Sequence, residues 1–163
     1  MILSAAPVDP VSFQPFGQVL TISGSADKRL ETFVTPELVD HDRPLNVAYG
    51  TKDASSFPHR IPIFERHGLS TQLFVPVKLS RYLVIACPSG ADGRPDLKSV
   101  GAFFADETQA IRFGRGVWHA PLCLADQRGS YLAVRYCRSL EDDQEIFSLT
   151  EDLRISLPPK SAS

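Results

Sequence analysis

Short apolar segments of four to eight residues dominate the middle of this 163-residue chain, and they constrain its fold more than any other feature. They are rich in valine, isoleucine, leucine and aromatic residues, and clusters of glycine, proline and aspartate separate them. The clearest are QLFVPV, YLVIAC, VGAFFAD, AIRF and SYLAVRYC, with QVLTIS and LNVAYG nearer the start. Because no β-α-β alternation occurs, the pattern predicts an all-β sandwich or jelly-roll barrel. The length suggests a single domain over residues 1–163.

Three further predictions concern local structure. The stretch DPVSFQPFG predicts a short N-terminal helix with Asp9 as its cap, Pro10 in its first position and Gly17 at its end. QLFVPV and YLVIAC are separated only by KLSR, a length that predicts a tight β-hairpin. SGSADKRLET, residues 23–32, has the composition of a loop.

The charge and cysteine content narrow the class of partner. A formal net charge of −2 without a basic block argues against nucleic acid or a membrane surface. No apolar run approaches the roughly 20 residues of a membrane helix. Three widely spaced cysteines, Cys87, Cys123 and Cys137, fit a reduced compartment, so we expect them to be small buried residues of a cytoplasmic protein. The expected partner is a small molecule or a second copy of the chain.

The side chains with candidate catalytic or metal-binding roles lie in two segments, FERHGLSTQLFVPV at residues 64–77 and RGVWHAPL. On a strand Glu65 and His67 share one face, and Arg66 points the other way. Gln72 after the bend, and His119 from the second stretch, could join Glu65 and His67 at one barrel mouth. Such a set makes a metal site or a hydrogen-bonded acid–base site. The alternative is an ion-paired rim, with Glu65 bound to an arginine and His67 satisfied by a main-chain carbonyl.

Four other residues have open interpretations. His41 and His59 lie in polar surroundings typical of surface residues. Lys78 ends an apolar strand and is either a solvated lysine or an ammonium group that holds a substrate carboxylate. Trp118 is favoured as a residue of the core or of a pocket wall.

FERHGLSTQLFVPV, YLVIA and PDLKSVGAFFADETQAIRFGRGVWHAPL together resemble the ureidoglycolate lyase family, often called ureidoglycolate hydrolase. The similarity runs from FQPFGQVL to YLAVRY. It implies a cupin fold, a double-stranded β-helix barrel of jelly-roll type. The general cupin motif H-x-H, followed by three or four residues and Glu, is occupied here by Glu65, His67 and Gln72. The second motif, G-x-x-H, is matched from Gly116 to His119.

The resemblance therefore implies a metal-ligand set formed by Glu65, His67, Gln72 and His119. The sequence departs from the general cupin pattern, because Glu65 replaces a histidine, Gln72 replaces a glutamate and Leu79 replaces a glycine. A neutral glutamine is a weak ligand, but two imidazoles and a carboxylate are able to hold a divalent ion. We accordingly expect at most one divalent metal ion, nickel or zinc, no organic cofactor, and a homodimer.

The implied activity is that of a carbon–nitrogen lyase cleaving (S)-ureidoglycolate to glyoxylate and urea in allantoin breakdown. His119 and His67 would form the acid–base or metal-holding pair, and Glu65 would orient an imidazole or bind the metal. Gln72 would bind the metal or the substrate. The other candidate substrate-binding residues are Lys78 for the carboxylate, Arg66 with less support, and Trp118. The competing hypotheses are a dioxygenase or isomerase acting on a small acid, and a non-catalytic cupin that senses one.

Overall fold

A computed structural model describes residues 1–22, 43–139 and 141–159 of the chain. The predictions for His41 and for the loop at residues 23–32 lie outside the described residues. The described elements, in chain order, are β1 (Ile2–Ser4), β2 (Ala6–Pro7), α1 (Pro10–Phe13), β3 (Gly17–Thr21), β4 (Leu45–Lys52), β5 (His59–Arg60), β6 (Ile63–Arg66), β7 (Gln72–Lys78), β8 (Arg81–Cys87), β9 (Gly101–Asp106), β10 (Gln109–Phe113), β11 (Trp118–His119), β12 (Cys123–Leu124), β13 (Gly129–Tyr136), β14 (Glu145–Ser148) and β15 (Arg154–Ser156). A single turn of 3-10 helix, Leu97–Ser99, precedes β9.

These strands form three sheets. The front sheet has the order β3-β10-β7-β13-β4, and the back sheet has the order β14-β6-β11-β8-β9-β2, with β12 also paired to β8. The third sheet, β1-β15-β5, is the cover sheet. Side chains of the front and back sheets share one apolar core, which includes Phe74 and Ile111 from the front and Tyr82 and Val84 from the back. The all-β fold of cupin-type jelly-roll form is thereby confirmed.

Strand β8 shows why the apolar run YLVIAC contains no polar residue. Tyr82, Val84 and Ala86 point into the core between the front and back sheets. Leu83, Ile85 and Cys87 point into a second core, which also includes Ile155 of the cover sheet. Because neighbouring side chains of a strand point to opposite faces, a strand covered on both faces must be apolar at every position.

The predicted hairpin between QLFVPV and YLVIAC is wrong. Strand β7 pairs with β10 and β13 in the front sheet, whereas β8 pairs with β9, β11 and β12 in the back sheet. The short connection crosses from one sheet to the other, with Leu79 buried in the core between them. Arg81, at the start of β8, forms an ion pair with Asp126 at 2.8 Å. A connection of this length allows either a hairpin or a crossing between two sheets. The crossing occurs here, and each strand then packs its apolar residues against the facing sheet.

The N-terminal helix is present, but it is shorter than predicted. Asp9 caps α1 by accepting hydrogen bonds from the main-chain N–H groups of Val11 and Ser12 at 3.0 Å, and Pro10 is the first helical residue. The helix ends at Phe13, and Gly17 is the first residue of β3. A Cβ atom at Gly17 would lie 1.9 Å from the main-chain oxygen of Arg112 on β10. The glycine is therefore needed for the close approach of β3 to β10 and does not end the helix.

The prediction that the cysteines are small buried residues is confirmed, because Cys87, Cys123 and Cys137 are all free and buried. Burial raises the pKa of the Cys87 thiol to about 12, with Asp96 adding to the effect. Within the described ranges, the structure contains no helix with the length and apolar character that spanning a bilayer requires.

Candidate active site

The candidate site lies at the barrel mouth, which we define as the end of the barrel where β6 ends and β7 begins. Glu65 on β6 and His119 on β11 are directly paired residues of two antiparallel strands. His67 follows β6 immediately, and Gln72 is the first residue of β7 in the facing sheet. These neighbouring elements bring together the four residues that the sequence analysis had grouped.

The interatomic distances define a compact cluster. One ligand atom from each of Glu65, His67 and His119 lies within 4.8 Å of the others. His119 Nε2 lies 2.8 Å from Gln72 Oε1 and 3.5 Å from Glu65 Oε1. The two imidazole centroids are 5.4 Å apart, and the histidines are only 2% and 1% exposed. The two imidazoles are therefore almost completely shielded from solvent.

Main-chain carbonyl groups fix the orientation of both imidazoles. His119 Nδ1 donates to the oxygen of Val117 at 3.0 Å, and its ring stacks on Phe113 at 4.2 Å. His67 Nδ1 lies 2.7 Å from the main-chain oxygen of Asp143, to which it donates. The bond at His67 places the proton on Nδ1 and leaves a lone pair on Nε2. At His119, Nε2 faces the oxygens of Gln72 and Glu65, and either a proton on Nε2 or a bound cation satisfies those acceptors.

The ionisation of the cluster follows from its surroundings. Burial acts to raise the pKa of Glu65, but its contacts with His119, the charge of His67 and a hydrogen bond from Gln144 together hold that pKa below its usual value. Gln144 Nε2 donates to Glu65 Oε2 at 2.7 Å. Burial, followed by the charges of His119 and Arg135, lowers the pKa of His67, against the opposing effects of the Asp143 carbonyl and Glu65. At neutral pH the site therefore combines an ionised Glu65 with a neutral His67.

A cavity of about 190 Å³ opens beside this cluster. That volume is below the roughly 300–1,000 Å³ typical of pockets for drug-sized ligands, so it suits a molecule of few atoms. The residues that line the cavity are Asn46, Ala48, His67, Gln72, Ala133, Arg135 and Gln144.

Sequence analysis missed Arg135, a charged residue of this cavity. It lies on β13, is 6% exposed, and places Nη1 2.6 Å from His67 Nδ1. The available signal was its position in SYLAVRYC, where Tyr131, Ala133 and Arg135 share one face of the strand. An arginine on the face that carries core residues is unusual enough to mark a site.

The structure does not bring Lys78 to the cavity. Lys78 is exposed at the far end of β7, six residues from Gln72, which corresponds to about 20 Å along a strand. It pairs with Ser130, whereas Gln72 pairs with Phe113. The length of β7 therefore separates the predicted carboxylate anchor from the histidines.

Arg66 and Trp118 also lie away from the cavity, on the opposite face of the back sheet. Arg66 forms an ion pair with Glu145 at 2.8 Å, and its guanidinium carbon lies 4.5 Å from the centre of the Trp118 ring. Trp118 belongs to the second core, and its indole N–H donates to the oxygen of Gly93 at 3.2 Å. The predicted alternation of Glu65 and Arg66 is thus observed, and the same alternation turns Trp118 away from its neighbour His119. His59 is part of the cover sheet.

The fold and the site together define a cupin-type barrel with two histidines and one carboxylate clustered at its mouth. Comparison with known proteins is more specific: the sequence pattern described as ureidoglycolate lyase matches residues 1–156, and the chain belongs to that family. A protein of Pseudomonas aeruginosa (strain LESB58) named ureidoglycolate lyase is 30% identical, over 98% of this chain and 97% of its own. Proteins of the same name from Stutzerimonas stutzeri (strain A1501) and Azotobacter vinelandii (strain DJ) are 29% and 28% identical, over 99% and 96% of this chain and 98% and 99% of their own. The resemblance noted in the sequence is confirmed.

Proposed function

We propose that this chain is a ureidoglycolate lyase that cleaves (S)-ureidoglycolate to glyoxylate and urea, in the cytoplasm, as part of allantoin breakdown. The observation that carries the proposal is the convergence of Glu65, His67 and His119 beside a small, partly enclosed cavity. Membership of the ureidoglycolate lyase family supports the choice of substrate. The three free cysteines are compatible with a reducing compartment. Neither the family nor the site favours a dioxygenase, an isomerase or a non-catalytic sensor.

The proposed reaction needs one base and one acid. The central carbon of the substrate bears a hydroxyl group, a ureido nitrogen and a carboxylate. A base removes the hydroxyl proton, the oxygen electrons form the carbonyl of glyoxylate, and the carbon–nitrogen bond breaks. The electrons of that bond remain on the nitrogen, which takes up a proton and leaves as urea. Every atom of the substrate is then accounted for in the two products.

In this scheme the buried side chains supply the proton transfers. Neutral His67 is able to accept the hydroxyl proton at Nε2, because its Nδ1 is engaged with the Asp143 carbonyl. His119 Nε2 lies 3.5 Å from the Glu65 carboxylate, and a proton carried on that nitrogen would be available to the urea nitrogen. Gln144 holds Glu65 in place through its second carboxylate oxygen. The nearly complete burial of both histidines limits the access of water to these steps.

The same donor set also fits one divalent metal ion, for which we propose nickel or zinc. The Nε2 atoms of His67 and His119 and one oxygen of Glu65 would bind it, with Gln72 Oε1 as the fourth ligand. The Nδ1 bonds to main-chain carbonyls are the outer contacts that orient histidine ligands in metal sites. Bound there, an ion would lower the pKa of a coordinated hydroxyl group.

A urea-release assay with purified protein tests the proposal. We expect His119→Ala to lower turnover by about 10²–10⁴-fold, the usual contribution of a positioned acid or base. His59→Ala, in the cover sheet, is the matched control and should retain wild-type turnover. Near-wild-type urea release by His119→Ala would refute the assigned site. Chelation decides between the two roles of the cluster, because activity lost on metal removal and restored by nickel or zinc assigns it to metal binding.

We further propose that the chain forms a homodimer through the outer face of the front sheet. On β4 the alternating residues Leu45, Val47 and Tyr49 are 55–64% exposed. Burying such an apolar row against a second copy would be favourable. Val47→Glu should convert the dimer to a monomer in light-scattering measurements, whereas Val11→Glu, on the exposed side of α1, should not. A wild-type protein that is monomeric at micromolar concentration would contradict this interface.

A further inference from the structure

The proposed substrate carries a carboxylate, and a partly enclosed cavity that binds it must supply a partner for that charge. Among the described residues that line the cavity, Arg135 is the one with a permanent positive charge. We propose that Arg135 binds the substrate carboxylate and thereby makes the site specific for a small acid over its neutral counterpart. This inference rests on the proposed function and names the residue that recognises its substrate class.

The position of Arg135 suits this role. It pairs with Asn46 of β4, and both residues line the cavity. Its Nη1 atom lies 2.6 Å from His67 Nδ1 and 3.5 Å from His67 Nε2, so the guanidinium group lies directly against the imidazole. A carboxylate bound to Arg135 would therefore place the adjacent substrate carbon, which bears the hydroxyl group, within reach of His67.

The shape of the guanidinium group explains why a carboxylate suits Arg135, because its N–H groups form a planar, charged fork. A substrate carboxylate offers two charged acceptor oxygens, which match the paired N–H groups of arginine.

The proposed contact between Arg135 and the substrate carboxylate can be tested by removing the charge of either partner. We would measure kcat/KM for ureidoglycolate and for its primary amide, in which the carboxylate is neutral, with wild type, Arg135→Gln and Arg135→Lys. Wild type should prefer the acid. For Arg135→Gln we expect kcat/KM for the acid to fall about 10- to 150-fold, mostly through a higher KM, because hydrogen bonds to charged groups have that magnitude. Its kcat/KM for the amide should change little. Arg135→Lys should retain part of the preference, since it keeps the charge but loses the paired geometry.

Two control variants remove a positive charge elsewhere. Arg128→Gln changes an exposed arginine that pairs with Asp53, and it should behave as wild type. Lys78→Gln changes the cation at the far end of β7 and should also keep the preference for the acid. The inference is overturned if both Arg135 variants prefer the acid as wild type does, or if the preference disappears in Lys78→Gln.

A binding measurement separates this inference from the proposed reaction. Calorimetric titration with glyoxylate and with the neutral glyoxylamide needs no turnover, so it applies even if wild type releases no urea. The inference is supported if Arg135→Gln weakens glyoxylate binding at least 10-fold without changing thermal unfolding. This holds even if the protein does not catalyse the proposed reaction. If Arg135→Gln does not fold, Arg135→Lys takes its place in the titration. Equal binding of glyoxylate by wild type and variant, or no binding by wild type in the absence of turnover, contradicts the role of Arg135.

Discussion

Asp143 connects two loops beside the site through hydrogen bonds, and the substitution Asp143→Asn tests that structural role. Its buried carboxylate accepts hydrogen bonds from the main-chain N–H of Leu69 at 2.7 Å and from the hydroxyl group of Ser70 at 2.6 Å. Its main-chain oxygen accepts the bond from His67 Nδ1. One residue therefore links the loop before β14 to the loop between β6 and β7, and it fixes an imidazole of the site.

The expected loss of stability follows from these two side-chain bonds. Hydrogen bonds to a charged group contribute about 1.5–3 kcal/mol each, and neutral ones about 1 kcal/mol. Asparagine keeps one oxygen acceptor but turns an amide group toward the other donor, so we expect the free energy of unfolding to fall by about 2–4 kcal/mol. For a domain of this size the melting temperature should fall by roughly 5–15 °C. The kcat of urea release should fall as well, because the loop that carries the main-chain oxygen bound by His67 is then held less firmly.

Urea denaturation followed by fluorescence measures the stability term. Glu141→Gln is the matched control, because it removes one carboxylate charge from an exposed position in the same loop. Ser70→Ala and the Ser70→Ala, Asp143→Asn double variant complete a double-mutant cycle. The losses in free energy of unfolding should be less than additive, because the two side chains share one hydrogen bond. An Asp143→Asn variant as stable as Glu141→Gln would refute the structural role of this carboxylate.

Three further predictions concern pH, packing and thiol reactivity. Burial and neighbouring positive charge lower the pKa of His67 in the folded state, so the unfolded chain binds a proton first as the pH falls below about 6.5. Denaturation of the metal-free protein should therefore show stability falling between about pH 7 and pH 5, and His67→Gln should reduce that fall. Gly17→Ala should destabilise the protein by about 1–3 kcal/mol in denaturant titrations, because its Cβ would meet the Arg112 oxygen, whereas Gly68→Ala, whose nearest contact is 3.9 Å away, should not. A colorimetric thiol reagent should label none of the three cysteines, Cys87 included, in the native protein at pH 8, and all three after denaturation.

Local rules correctly predicted the strands and the orientation of side chains along them. The opposite directions of Glu65 and Arg66 follow from strand alternation alone, and the structure shows Glu65 at the mouth and Arg66 over Trp118. The apolar run YLVIAC likewise predicted a strand, and β8 occupies it. Strand pairing is not local, since it depends on which residues meet from distant parts of the chain. A connection of suitable length for a hairpin therefore could not show that β7 and β8 belong to different sheets.

The choice between Lys78 and Arg135 shows how one missing pairing changes a site. Strand β13 runs antiparallel to β7, with Ala133 opposite Phe74 and Val134 opposite Leu73. Continuing that register by one residue places Arg135 beside Gln72 at the barrel mouth. At the other end, after a one-residue register shift between Tyr131 and Ser130, Lys78 pairs with Ser130. Both cations were visible in the sequence, but their distance from the histidines depends on the direction and register of β13. A single cross-strand constraint between β7 and β13, added to the alternation rule, would have been enough to favour Arg135.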